Sequence, residues 1–176
     1  MNFPKKFPKI ETERLVLREI ADEDTHAIYR NFSDPEVAKW FFEQPLTDLV
    51  QAKEFITAFK NEFREGEGLT WAIVLKQSDR CVGTCGYGDL EIGERGEIGF
   101  DLAQDQWGKG LMSEALLPII DYGFKELGLK KIEAHSYSTN VRAIRLLEKV
   151  GFQLEKISEN NHYYFITRSG ENLPST

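Results

Sequence analysis

The sequence predicts a single mixed α/β domain. The chain has 176 residues, strand-like and helix-like patterns alternate along it, and no Pro- or Gly-rich linker divides it. A hydrophobic fraction of 41%, with 12 Phe, 6 Tyr and 3 Trp, is typical of a folded globule. We therefore expect one core built from strands and helices in turn.

The predicted strands are short apolar runs bounded by turn residues. In the first, Leu15 and Leu17 point one way and Val16 and its polar neighbours the other, which is the alternation of a strand. The polar turn at residues 77–80 is short, so we expect the strands on either side of it to form a hairpin. The predicted strands are residues 12–18, 69–76, 81–90, 96–102, 131–137, 152–157 and 163–168.

The predicted helices begin at capping residues that precede apolar side chains with helical spacing. Pro35 is expected in the first turn of the second helix, and Gly66 and Gly151 are expected to end the third and the fifth. The predicted helices are residues 21–32, a second one starting at residue 33, and residues 47–66, 108–127 and 140–150.

Charge and composition argue against several classes of partner. The net charge of −7 disfavours nucleic acid and anionic membranes. We find neither a signal peptide nor an apolar run long enough to span a bilayer, and no group of residues has metal-ligand spacing. Cys81 and Cys85 lie four positions apart on one predicted strand, too far for an unstrained disulfide. We expect free thiols, no metal and a cytoplasmic location.

The most informative run is residues 105–115, which is typical of a short loop, a glycine turn and the start of a helix. Gly108 and Gly110 leave the backbone N–H groups of the turn uncovered, and the first N–H groups of a helix have no partners inside it. With the helix dipole, they favour an anion such as a pyrophosphate, and Lys109 adds charge. Gly-x-Gly alone favours a plain strand–helix connection whose glycines only allow a tight turn, and it matches neither a Walker loop nor a dinucleotide fingerprint.

Three separated segments together resemble one known family. They are Ile10-Glu11-Thr12-Glu13-Arg14-Leu15-Val16-Leu17-Arg18 with Asp24, then Trp107-Gly108-Lys109-Gly110-Leu111-Met112-Ser113-Glu114-Ala115, and finally Asn140-Val141-Arg142-Ala143-Ile144-Arg145-Leu146-Leu147-Glu148-Lys149-Val150-Gly151-Phe152. In order and spacing they resemble the GCN5-related N-acetyltransferase (GNAT) superfamily, in the branch that acetylates the N-termini of ribosomal proteins. The resemblance covers residues 9–168 and leaves an N-terminal tail, 1–8, and a flexible C-terminal tail, 169–176.

The resemblance implies a mixed, largely antiparallel sheet flanked by helices, in which two parallel strands, here 96–102 and 131–137, splay apart around acetyl-CoA. It implies that the backbone of four strand residues pairs with the pantetheine arm, and that the turn holds the pyrophosphate. The strand residues are Phe100, Asp101, Leu102 and Ala103; the turn residues are Trp107, Gly108, Lys109, Gly110, Leu111, Met112 and Ser113. Asn140 is implied near the thiol. The family's usual Arg or Gln at the head of the turn is Trp107 here, and Met112 replaces a small residue.

For catalysis, the resemblance makes Glu97 the candidate base, although an ordinary polar strand residue is an equal alternative. Tyr137 and Ser138 are candidates to protonate the leaving thiolate or to orient the amine. The family's frequent acid, a tyrosine, is Leu147 in this chain. We interpret His135 as a satisfied core or rim histidine. The run of aromatic residues at 40–42 is either core or a wall of the acceptor site.

The leading hypothesis is therefore an enzyme that moves an acetyl group from acetyl-CoA to a primary amine by direct attack in a ternary complex. The amine is either a protein N-terminus or a small molecule. One alternative is transfer of a larger acyl group, for which Gly86 and Gly88 could leave room. The other is a CoA-binding sensor or scaffold without activity. The family's habit also predicts a homodimer.

Overall fold

The computed structural model describes residues 3–168, which form one eight-stranded sheet with helices on both faces. The predicted strands are all present, with shifts of a few residues at their ends, and a short strand, β1, precedes them. The strands are β1 (Ile10–Glu11), β2 (Leu15–Glu19), β3 (Leu69–Leu75), β4 (Arg80–Glu91), β5 (Arg95–Leu102), β6 (Lys131–Tyr137), β7 (Gln153–Ile157) and β8 (Asn161–Thr167). Their order across the sheet is β1-β2-β3-β4-β5-β6-β8-β7.

The five helices form where capping residues precede amphipathic segments. Asp48, for example, accepts hydrogen bonds from the N–H groups of Val50 and Gln51, and Gly66 ends that helix with a left-handed φ of 78°. The helices are α1 (Thr25–Ser33), α2 (Pro35–Ala38), α3 (Leu49–Glu65), α4 (Leu111–Lys125) and α5 (Val141–Lys149). The fourth is shorter than expected because the glycine turn itself is not helical.

One pair of neighbouring strands is parallel, and that pair separates. β5 and β6 pair only through Arg95, Gly96 and Glu97, whereas all the other neighbouring strands are antiparallel. Beyond Glu97, β5 stays paired with β4 along one edge. Among residues 3–168 its other edge has no strand partner. This confirms the predicted fold class: a mixed, largely antiparallel sheet with a splayed parallel pair.

The core has two layers because successive strand residues point to opposite faces. On one face, Trp71 and Tyr87 pack with α4, where the Tyr87 hydroxyl donates to the Ile119 carbonyl over 2.8 Å. On the other face, Ile28 of α1 and Ile56 of α3 form a second cluster. Complete burial of one such aliphatic side chain stabilises the fold by about 1.5–3 kcal/mol.

The segment before β1 packs on the domain. The rings of Phe3 and Phe7 lie 5.2 and 5.0 Å from the ring of Phe63 on α3. The indole of Trp71 donates to the Pro8 carbonyl over 2.7 Å. The predicted C-terminal tail, residues 169–176, lies outside the described residues.

Both cysteines are free and buried on β4. Burial raises the pKa of the Cys81 thiol to about 12 and raises that of Cys85 further above its ordinary range. Elsewhere in residues 3–168, no helix has the length and apolar character of a membrane span, and no three potential metal ligands cluster together.

Candidate active site

The turn formed by residues 107–113, called the phosphate turn below, follows β5 and starts α4. Gly108 and Gly110 have φ values of 75° and 77°, a left-handed conformation that favours glycine. The side chains of Leu111 and Met112 enter the core. The first N–H of α4 bonded to a preceding carbonyl is that of Glu114, which donates to Gly110 over 3.1 Å. Within residues 3–168, the N–H groups of residues 111–113 have no backbone partner, so the turn can bind an anion.

A hydrogen-bonded brace connects the phosphate turn to the beginning of the chain. The Glu114 carboxylate accepts from the Thr12 hydroxyl at 2.6 Å, from the Arg14 N–H at 2.7 Å and from the Arg14 Nε at 2.6 Å. The Arg14 guanidinium also donates to the Lys109 carbonyl over 2.9 Å. Burial opposes ionisation of Glu114, but these donors outweigh it and lower its pKa. The first two sequence motifs are therefore in direct contact.

Trp107, which stands where the family usually has a polar residue, is held on both sides. Its indole N–H donates to the Leu102 carbonyl at the end of β5 over 2.7 Å. The guanidinium of Arg142 on α5 lies 4.4 Å from the centre of its ring, a cation–π contact. The side chain therefore connects the phosphate turn with α5.

A cleft of about 550 Å³ opens between the end of β5, the phosphate turn, α2 and α5. Ten of the twelve predicted cofactor residues line it: Phe100, Asp101, Leu102, Trp107, Gly108, Gly110, Leu111, Met112, Ser113 and Asn140. Four cationic side chains also line it, Lys39, Arg142, Arg145 and Lys149, and Lys39 is paired at 2.7 Å with Glu36, which lines the cleft as well. In a chain of net charge −7, this local positive charge suits a polyphosphate.

Sequence reasoning missed these cations, although three of them carried a signal. Arg142, Arg145 and Lys149 are spaced i, i+3 and i+7 along α5, which places them on one face of a helix. Lys39 follows the short helix α2, and it lines the cleft because the fold brings α2 close to the phosphate turn and α5, which no local sequence pattern indicates.

Two predicted cofactor residues, Ala103 and Lys109, do not line the cleft. The Lys109 ammonium instead donates to the Gln106 side chain over 3.2 Å. Asn140 lines the cleft, but its side-chain oxygen accepts from the Ala143 N–H at 3.3 Å and so caps α5. Its amide nitrogen remains as the donor available to a ligand.

The side chain of Asp101 is completely buried and connects β5 to α1. It accepts from the hydroxyl and N–H of Thr84 and from the side-chain amide of Asn31. Burial raises the pKa of Asp101 to about 7, against the opposing effect of these hydrogen bonds. The side-chain amide oxygen of Asn31 (Oδ1) is buried and has no hydrogen-bond partner within residues 3–168.

Where β5 and β6 separate, the sheet has a surface that we call the open face: Gly88, Glu97, Gly99 and His135. Added Cβ atoms on Gly88 and Gly99 would meet nothing within 4 Å. Here the Glu97 carboxylate and the His135 Nδ1 form a hydrogen bond, which raises the pKa of His135 against a smaller opposing effect of burial. The two side chains are 36% and 54% exposed, so His135 is a rim residue, with Glu97 as its partner.

The other predicted catalytic residues lie beside the open face. Tyr137 is exposed, and its ring lies 6.3 Å from that of Trp40, which lines the cleft. The Ser138 hydroxyl oxygen is buried, and within residues 3–168 it has no hydrogen-bond partner. Leu147, in the position of the family's tyrosine, is completely buried in the core.

The idea that Gly86 leaves room for an acyl group is wrong. A Cβ at Gly86 would collide with the backbone of Leu69 and Thr70, so this glycine allows β3 and β4 to approach closely. Only Gly88 of that pair faces open space.

Comparison with known proteins agrees with this geometry. Residues 14–153 match the family model described as an acetyltransferase (GNAT) domain. The chain is 42% identical over 146 residues to the N-acetyltransferase p20 of Bacillus licheniformis, an alignment that covers 82% of each protein.

Two solved structures share the fold. One is the ribosomal-protein-S5-alanine acetyltransferase of Vibrio fischeri, with a TM-score of 0.78, 19% identity, and coverage of 93% of this chain and 98% of that one. The other is the spermidine N-acetyltransferase of Vibrio cholerae, in complex with CoA and spermine, with a TM-score of 0.76, 21% identity, and coverage of 90% and 98%. The chain belongs to the GNAT acetyltransferase family and is an N-acetyltransferase.

Proposed function

We propose that this enzyme transfers the acetyl group of acetyl-CoA to a primary amine, with both substrates bound at once. The observation that carries the proposal is the phosphate turn: its unpaired N–H groups open into a cleft lined by four cationic side chains. A nucleoside pyrophosphate on a thioester-bearing arm matches both this charge and the strand edge that leads away from it.

In this proposal, the N–H groups of the phosphate turn hold the pyrophosphate, and Arg142, Arg145 and Lys149 neutralise its charge. The edge of β5 at Phe100–Leu102, which has no strand partner among residues 3–168, offers backbone groups to the amides of the pantetheine arm, as an added strand would. The N–H of Ala103, which follows β5, already donates to the Val82 carbonyl over 2.7 Å. The side-chain nitrogen of Asn140 donates near the thiol end.

Bound acetyl-CoA supplies an electrophilic thioester: the amine nitrogen forms the new C–N bond, the C–S bond breaks, and its electron pair leaves on sulfur. The chain has to position the amine and remove its proton. Glu97 lies three residues before Phe100, about 10 Å along the strand, and takes part in removing that proton. The Ser138 hydroxyl, which has no hydrogen-bond partner among residues 3–168, and the exposed Tyr137 are the donors proposed for the departing sulfur.

The proposed acceptor is a primary amine on a protein N-terminus or on a small molecule. Structural relatives act on either kind, a ribosomal protein in one case and spermidine in the other. Both fit an open approach across Gly88 and Gly99. A cytoplasmic location and a homodimer remain predictions, and light scattering on the purified protein measures the second.

The test is calorimetric titration of acetyl-CoA into the wild type, Gly110→Glu and Gly93→Glu. Gly93 is the control because it also has a left-handed φ, but it lies in the turn between β4 and β5. A Cβ at Gly93 would meet nothing within 4 Å, and a Cβ at Gly110 would meet only the Arg14 side chain, at 3.6 Å. We expect micromolar binding by the wild type and Gly93→Glu. We expect at least about 100-fold weaker binding by Gly110→Glu, or about 2.7 kcal/mol. Equal affinities in the two variants, or no binding by the wild type, would falsify the proposal.

A further inference from the structure

The Glu97–His135 contact joins the two splayed strands at the point where they part. Glu97 is the last residue of β5 that pairs with β6, opposite Glu133, and His135 is two residues further along β6. Paired strand residues and those two apart share a face, so both side chains emerge on the face opposite α4. The contact therefore lies at the entrance to the gap between the strands.

The surroundings of this pair leave room for a second substrate. Gly88 pairs with Glu97 on β4, and Gly99 follows Glu97 by two residues on β5, so the pair adjoins bare backbone. On the other side, Tyr137 packs against Trp40, a residue of the cleft wall. An amine that approaches the cleft across the open face therefore passes His135.

The hydrogen bond fixes which imidazole nitrogen has a free lone pair. An ionised carboxylate only accepts hydrogen bonds, so with Glu97 bound at Nδ1 the neutral ring carries its proton there. Nε2 is then unprotonated, and none of the hydrogen bonds among residues 3–168 uses it. A half-exposed imidazole with a free Nε2 can accept a proton, and its carboxylate partner stabilises the cation that forms.

We propose that His135 is the general base of the acetyl transfer, through Nε2, and that Glu97 is the positioning residue that holds its tautomer and orientation. This inference rests on the proposed function and assigns its proton acceptor. As the amine nitrogen bonds to the acetyl carbon, the proton it loses goes to Nε2, and the thiolate that leaves takes up a proton separately. The family resemblance makes Glu97 the candidate base, whereas the hydrogen-bond geometry favours its partner, His135.

The proton affinity of His135 depends on the charges that face it. Beyond Glu97, these are Arg95 on β5, Lys131, Glu133 and Tyr137 on β6, Tyr163 on β8 and Lys156 on β7. Glu133 is paired with Lys131 at 2.7 Å and with Arg95 at 3.3 Å, but Lys131 also pairs with Glu155 of β7 at 2.8 Å, and Arg95 also pairs with Asp89 and Glu91 of β4 at 3.0 and 2.8 Å. Lys156 lies over the Tyr163 ring, which packs at 6.0 Å from the imidazole. Of these charged groups, Glu97 is the one that bonds directly to the imidazole, and it has the largest effect on the pKa of His135.

The first test uses the enzyme without any substrate. Long-range nitrogen–proton NMR spectra of the imidazole ring report its tautomer and its titration. We expect the Nδ1–H tautomer in the neutral ring and a pKa above the ordinary value of about 6.5. Glu97→Gln should keep the tautomer, because an amide oxygen still accepts, but should lower the pKa. Glu133→Gln, which changes the residue opposite Glu97 on β6, should lower the pKa of His135 less. A neutral ring protonated on Nε2 would overturn the assignment, because that atom would have no lone pair to offer.

The second test compares steady-state kinetics as a function of pH. The probes are spermidine and a peptide with a free N-terminal alanine, and release of the CoA thiol is measured. His135→Gln should lower kcat at least about 100-fold, a typical effect of a general base, while acetyl-CoA affinity stays within about twofold. His162→Gln, on the opposite face of the sheet, is the matched control. The acid limb of the kcat/KM profile should move to lower pH in Glu97→Gln, by the change in pKa seen by NMR.

The outcomes separate the two levels of inference. A wild type that turns over neither amine overturns the proposed function itself. Wild-type turnover that His135→Gln retains within about threefold overturns the role of His135 alone. A rate in Glu97→Gln that falls without any shift of the pH profile returns the role of base to Glu97.

Discussion

The two ends of the site are built differently. At the proposed cofactor end, the Thr12–Arg14–Glu114 brace and the indole of Trp107 hold the phosphate turn through hydrogen bonds. The turn itself contains two glycines with a left-handed φ. At the other end, the open face consists of bare backbone and one exposed hydrogen-bonded pair. The cofactor end is rigid and made of residues distant in sequence, whereas the acceptor end presents few fixed contacts.

This difference has a physical reason. A pyrophosphate is recognised by backbone N–H groups whose positions must be fixed before binding, because ordering them afterwards costs conformational entropy. An amine needs only a path, a partner for its charge and a proton acceptor near the thioester.

Removing the brace should have the largest effect. Glu114→Ala deletes an acceptor of three hydrogen bonds and leaves Arg14 without its partner, which should cost about 3 kcal/mol of unfolding free energy and weaken acetyl-CoA binding about tenfold. Chemical denaturation and calorimetry measure the two effects. Glu114→Gln should restore part of both. Asp121→Ala, which breaks an exposed ion pair on the same helix, should cost less than about 0.5 kcal/mol. Equal losses in the two alanine variants would contradict a braced cofactor end.

A side chain that fills the open face should weaken binding of the amine without changing binding of acetyl-CoA. Gly99→Val adds a side chain where a Cβ meets no atom within 4 Å, so the fold should tolerate it. We expect the KM for the amine to rise about 10- to 100-fold, or about 1.4–2.7 kcal/mol, with the Kd of acetyl-CoA unchanged. Initial rates at saturating acetyl-CoA and calorimetry give the two values. If the Kd rises as much as the KM, the open face belongs to the cofactor end.

Asp101 lies between the two ends and should make stability depend on pH. Its raised pKa of about 7 means that the unfolded chain releases the proton at lower pH than the folded chain does, so stability falls as pH rises from about 4 to about 7. Asp101→Asn should remove this fall and gain on the order of 1 kcal/mol at pH 8. The unpartnered Asn31 oxygen can accept from the new amide if Asn31 turns over. Thermal unfolding of the wild type and of Asp101→Asn at pH 5 and pH 8 measures this pH dependence of stability. If both proteins lose the same stability between the two pH values, Asp101 is not the titrating group.

The smallest effect is expected at Arg142. Arg142→Ala removes the cation over Trp107 and one charge from the cleft, which should weaken acetyl-CoA binding by about 0.5–1 kcal/mol. The loss should shrink in high salt because part of it is electrostatic. Lys125→Ala, an exposed cation on α4 outside the cleft, should leave the affinity unchanged. A loss that does not depend on salt would mean that Arg142 acts only by packing.

The sequence predicted the glycine turn better than the open face. Gly108 and Gly110 predict a tight turn from local sequence alone, and both have a left-handed φ in the structure. The family resemblance predicted that this turn lies beside two splayed strands. The brace could not be predicted, since Thr12 and Glu114 are 102 positions apart and meet only through the sheet. Likewise, no local pattern distinguishes Gly86, which packs on β3, from Gly88, which faces open space.

The Glu97–His135 pair shows the same limit for the proposed catalytic residues. The resemblance supplied Glu97, but the role of His135 depends on the register of two parallel strands, which pair here over three residues only. A one-residue slip would place His135 on the other face of the sheet and leave Glu97 without it.

The chemistry of the two buried thiols has a practical consequence. With the pKa of Cys81 raised to about 12 and that of Cys85 higher still, almost no thiolate is present at neutral pH in the folded enzyme. Alkylating reagents and disulfides, including oxidised CoA, should therefore find almost no reactive thiolate on the folded chain. A cysteine introduced at Gly88 or Ser113 would be the single reactive sulfur, which allows a fluorophore to be attached at one chosen end of the site in an otherwise unmodified protein.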